Sequence, residues 1–129
     1  MKRERRVLKA VLRLAERQLN AAARQLAQTK AAENQARQQL GALKTYQTDY
    51  QELDRQSVTI VQMDERRQFN HQLSTAVEHA ERRCVQERTT VDQATLAWRE
   101  IQLKVKVLQG LVTQQKQARR RRMERMTDT

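Results

Sequence analysis

The chain has 129 residues, 32% of them charged and only 3% aromatic, with 26 Lys and Arg against 15 Asp and Glu for a net charge of +11. So little bulky apolar material rules out a conventional globular core, and the absence of proline, with Gly41 and Gly110 as the only glycines, lets helix run almost without interruption. No apolar run approaches the roughly 20 residues needed to cross a membrane, and the start Met1-Lys2-Arg3-Glu4-Arg5-Arg6 has no apolar stretch of a secretory signal, so the chain is expected in the cytoplasm.

The first predicted element is a helix over about residues 4–54. Its apolar residues step by alternating threes and fours: Leu8, Leu12, Ala15, Leu19, Ala22, Leu26, then Ala36, Leu40, Leu43 and Tyr50. A stripe this narrow cannot wrap a core but seals one helix against another. A turn is expected over about 55–59. Thr59 followed by Gln62 spells a capping box, with Val58 and Met63 at the flanking staple positions, and the β-branched run Val58-Thr59-Ile60-Val61 disfavours smooth passage of the first helix. The second helix is expected over about 60–126, with its stripe at Leu73, Val77, Ala80, Cys84, Val91, Ala94, Trp98, Ile101, Val105, Leu108 and Val112.

These elements predict an all-α protein, one long antiparallel two-helix coiled-coil hairpin spanning residues 1–129 as a single domain. Folding about residue 59 sets Leu8 near Gly110, and arms of roughly 70 to 90 Å follow from 1.5 Å per residue. The alternative is one continuous helix that dimerises, which would forgo the cap. Both stripes turn polar halfway along, at Thr29 and Glu33 in the first helix and at Glu87, flanked by Thr89 and Thr90, in the second. The hairpin register brings these breaks together, with residue 33 level with about 85. Such groups either fix register or leave a loose, hydrated stretch. Cys84, at an a position, reads as a small apolar seam residue with no redox partner.

Charge is uneven. Residues 1–6 hold four basic groups against one acid, and residues 116–129 hold six against two, whereas Asp49, Glu52, Asp54, Asp64 and Glu65 oppose Arg55 alone around the turn. The basic ends, with Arg3, Arg5, Arg6, Arg119, Arg120, Arg121 and Arg122, can bind an acidic protein surface, nucleic acid or anionic lipid. Near the turn the g positions Gln39, Tyr46, Phe69 and Ala76 collect both tyrosines, with Tyr50, and the only phenylalanine. That cluster reads either as a docking surface or as bulk that fills a widened seam.

The order Gln39-x3-Leu43-x2-Tyr46-x3-Tyr50, then Phe69-x3-Leu73-x2-Ala76, then Ala94-x3-Trp98-Arg99-Glu100 resembles the FliJ family, small coiled-coil components of the bacterial flagellar type III export apparatus, over roughly residues 8–118. The resemblance implies a hairpin similar to the coiled coil of the rotary ATPase γ subunit. It also implies that the terminal end engages the export ATPase ring, while a patch near the turn contacts the export-gate membrane protein and flagellar export chaperones. Carried over by position, that patch is Gln39, Leu43, Tyr46, Tyr50, Phe69, Leu73 and Ala76. The chain departs from the family where Ala80 replaces a histidine and His79 stands one residue earlier, about 100° around a helix. Relative to the family it is also expected to be trimmed at both ends.

No catalysis, cofactor, metal or small-molecule substrate is expected. Neither His71 nor His79 has a second histidine, cysteine or carboxylate four residues away, and glycine-rich phosphate loops are absent. The expected role is regulation of the ATPase at the cytoplasmic face of the membrane, with membrane association through partners. Alternatives are the equivalent protein of a virulence injectisome, a nucleic-acid-binding basic coiled coil, or a membrane-surface spacer.

Overall fold

The computed structural model describes residues 2–53 and 59–127. It consists of two helices, α1 (Lys2–Leu53) and α2 (Ile60–Thr127), and no strand occurs among the described residues. The two contact each other as an all-α coiled-coil hairpin. Apart from Thr59, the expected turn lies outside the described residues, as do Asp54, Arg55 and the staple residue Val58.

Helix α2 begins as its sequence dictates. The Thr59 backbone N–H donates to Gln62 Oε1 at 3.1 Å, and the Gln62 N–H donates to Thr59 Oγ1 at 3.3 Å. Two helix-start donors that have no partner within the helix are thereby satisfied reciprocally. The Met63 N–H then donates to the Thr59 carbonyl at 2.9 Å, which starts the regular ladder.

The chain divides into a terminal unit, Met1–Ala27 with Gln93–Thr129, and a central unit, Gln28–Asp92. In the terminal unit, protection from solvent recurs at residues 8, 12, 15, 19, 22 and 26 of α1 and at 94, 98, 101, 105, 108, 112 and 115 of α2, and Ala15 and Val105 are buried. In the central unit it recurs at 29, 33, 36, 40, 43, 47 and 50, and at 66, 70, 73, 77, 80, 84, 87 and 91. The three-and-four spacing of a heptad seam holds throughout both lists.

Among the described residues no large side chain is completely enclosed, whereas Ala15 and Ala36 are each only 1% exposed. A second helix covers one side of a seam, so it hides a methyl group fully and a leucine only in part. Cys84 is half-buried in the seam, in keeping with its a position.

The central unit's seam includes the polar break. Thr29 and Glu33 are each 6% exposed, and Glu87 is half-buried. Glu33 Oε1 accepts from Arg37 Nη2 at 2.7 Å, one turn along α1, and lies 3.5 Å from Arg88 Nη1 of α2. Glu33 Oε2 is buried without a hydrogen-bond partner. Arg88 also lies 3.4 Å from Asp92. Instead of standing in the seam, the flanking Thr89 and Thr90 are exposed and donate to carbonyls four residues back.

Candidate functional site

The central unit gathers both tyrosines and the only phenylalanine. Tyr46 and Phe69 both stand at g positions, which face each other across an antiparallel helix pair, and Tyr50 is the adjoining d residue of α1. Their rings meet: Tyr50 and Phe69 are 4.5 Å apart at 48°, and Tyr46 and Phe69 are 6.1 Å apart edge to face at 66°. Such ring pairs contribute roughly 0.5–1.5 kcal/mol beyond their area burial. Phe69 and Tyr50 are half-buried, while Tyr46 keeps 53% of its surface in solvent. The cluster thus combines partial seam filling with an exposed aromatic face.

The other residues of the expected patch divide by depth. Gln39 is exposed, and its Oε1 accepts from Arg83 Nη1 of α2 at 2.8 Å, so the two g positions above the rings are held by a charge-assisted bond. Leu43 and Ala76 are half-buried, and Leu73, one turn from Phe69, is buried in the seam. Leu73 therefore backs the surface and does not form part of it. His79 is exposed and Ala80 lies half-buried in the seam, so the two positions point to different surroundings, as their 100° separation requires.

The terminal unit carries the charge. Its sequence holds seventeen Lys and Arg against five Asp and Glu, a net +12, while the central unit holds nine against ten. All of the excess positive charge therefore belongs to the terminal unit. Arg5 comes together with Arg119 and Arg122 around one hollow of about 180 Å³. It shares a second hollow of similar size with Lys9, Lys116, Arg119 and Arg120. Arg3 lines a larger neighbouring groove, whereas Arg6 and Arg121 are exposed and line none of these three. Like charges at such spacing repel one another, and an anionic partner would relieve that repulsion.

Three features lay outside the sequence-based reading. Arg37 and Arg88 hold the buried Glu33, Arg83 holds Gln39, and Val7, Val11 and Leu111 stand exposed in the terminal unit. For the last, a signal was present: Val7, Val11 and Leu14 repeat the seam's own spacing one position out of phase with it. Among the described residues no group of His, Cys, Asp or Glu could hold a metal ion, and no helix is long and apolar enough to cross a membrane.

Comparison with curated proteins gave no significant match. The family model described as "Flagellar FliJ protein" matches residues 4–126, nearly the whole chain and both helices. The chain therefore belongs to the flagellar FliJ family, non-enzymatic components of type III flagellar protein export.

Proposed function

We propose that the protein binds and regulates the export ATPase ring through the basic end of its terminal unit, and links that ring to the export gate and to export chaperones through the aromatic patch of its central unit. The observation that carries this reading is the segregation of the two surface chemistries: a net +12 in one unit, and all the tyrosine and phenylalanine in the other. Exposed cations at Arg3, Arg6 and Arg119 to Arg122, with the half-buried Arg5, steer association with an acidic surface and set its register more than its strength. Tyr46 and Phe69, backed by Leu73, supply the partly desolvated aromatic anchors from which binding energy mostly comes. One hairpin with both surfaces connects two partners without chemistry of its own. Such a protein works in the cytoplasm against the inner face of the membrane and is held there by its partners.

The test is direct. Titration of the full chain into the purified flagellar export ATPase should change the hydrolysis rate saturably, and the chain should co-sediment with membranes that contain the export gate. An unchanged rate across the titration, or equal sedimentation with membranes that lack the gate, refutes the corresponding half of the proposal.

A further inference from the structure

The terminal unit has a second apolar surface that its own helix pairing does not use. Val7 and Val11 of α1 and Leu111 of α2 are 59%, 39% and 43% exposed, and with the half-buried Leu8 they line an open groove of about 770 Å³. The seam beside it is already closed by Leu8, Leu12, Ala15 and their partners on α2. The exposed residues therefore form a separate stripe. On α1 it continues to Leu14, 56% exposed, so that Val7, Val11 and Leu14 show the three-and-four spacing that receives another helix. From Arg3 to Val11 the groove wall is about 12 Å long at 1.5 Å per residue, and the stripe's extension to Leu14 lengthens it to about 16 Å, room for roughly three turns of a guest.

A cationic cluster adjoins the groove. Arg3 lines the groove itself, and Glu4, Gln115 and Ala118 are shared between its wall and the hollow formed by Arg5, Arg119 and Arg122. An apolar floor beside a cationic cluster, in a unit of net +12, complements one kind of guest. We infer that this groove binds an amphipathic helix of a partner protein, with leucine-type residues on one face and acidic residues flanking them. A second copy of the chain is disfavoured because two terminal units of +12 repel each other. Nucleic acid gains nothing from valine and leucine, and Trp98, half-buried, is the only aromatic residue of this unit available to stack bases. The inference goes beyond the ATPase reading, since it specifies the shape and chemistry of the bound segment whichever protein carries it.

The probe is a fluorescein-labelled peptide of about three heptads, with leucine at a and d and with glutamate and alanine elsewhere. Its anisotropy is followed against the full chain in about 0.15 M salt, near physiological screening. The peptide should bind saturably. A scrambled peptide of the same composition, and the Val11→Glu/Leu111→Glu chain, should each bind at least about tenfold more weakly, a change of about 1.4 kcal/mol. Both substituted positions are exposed, so the helical circular dichroism should persist, and Val7→Gln, the more exposed site, should weaken binding in the same direction if the double variant fails to fold. Absence of binding, equal binding of the scrambled peptide, or binding unchanged in both variants overturns the inference. So does a preference of the groove for vesicles containing phosphatidylglycerol over the peptide, which would make it a lipid-facing surface. Hydrolysis by the ATPase, measured on the same variants, is a separate readout, so loss of peptide binding with stimulation intact leaves the two readings distinct.

Discussion

Arg88 of α2 lies 3.5 Å from the carboxylate of Glu33 on α1, a charge that is 6% exposed within the seam. Arg37 closes on the same oxygen from α1 at 2.7 Å, and the second oxygen is left buried without a partner. A half-satisfied buried carboxylate costs desolvation that its surface arginines only partly offset, so its benefit lies in fixing which residues pair rather than in stability. Glu33→Leu should therefore leave stability unchanged or raise it, by about 1–4 kcal/mol at most, with an increase in melting temperature. Arg88→Ala should cost less than about 1 kcal/mol, because both arginines are mostly exposed and screened. A melting temperature that falls for Glu33→Leu would show the ion pairs to be net stabilising.

The cap at Thr59 gives a second expectation. Thr59→Ala removes the acceptor for the Gln62 N–H and should destabilise the protein by about 1 kcal/mol, within the usual range of 0.5–2 kcal/mol for an N-cap. Gln62→Ala breaks the reciprocal bond, so the double substitution should cost less than the two single ones added together. Strict additivity in thermal or urea unfolding would mean that the two bonds are independent.

Most of the fold was legible because a heptad seam announces itself residue by residue. Every position of the apolar ladders is protected, the polar break included, and Gln47, Arg66, Asn70 and Gln115 extend the same spacing beyond them; the capping box formed at the threonine and glutamine that spelled it. At the polar break the sequence sets Glu33 level with about residue 85, and its cross-helix ion pair comes from Arg88, about 4.5 Å further along the axis and within reach of a long arginine side chain. A heptad pattern states which face is inward and says less about how far one helix slides along the other. The aromatic cluster was readable from its g positions, but the depth of Leu73 within it was not. Arg37 and Arg88 were illegible as clamps for a different reason, since an exposed arginine that reaches a buried carboxylate has the same sequence context as one that reaches only water.

The two glycines offer a test of helix continuity. Both Gly41 and Gly110 lie in helical interiors, and a methyl group at either would meet no atom within 4 Å. Neither has positive φ. Gly41→Ala and Gly110→Ala should each stabilise the chain by about 0.5–1 kcal/mol, chiefly by restricting the unfolded state. Loss of stability at either site would mean that the glycine is needed for a bend or a close approach absent from the structure described here.

The central claim is that the two surfaces act independently, and one experiment addresses it: gate or chaperone binding and ATPase stimulation measured side by side on two sets of variants. Tyr46→Ala and Phe69→Ala should each weaken gate or chaperone binding about thirtyfold, as expected for anchors contributing about 2 kcal/mol, with ATPase stimulation intact. Tyr46, mostly exposed, should cost less than about 1 kcal/mol of folding stability when truncated, so its binding defect is not secondary to unfolding. Replacing Arg119 to Arg122 with glutamine should abolish stimulation and leave binding at the aromatic patch unchanged. Two variant sets that lose both activities together, with melting temperatures preserved, would contradict the account.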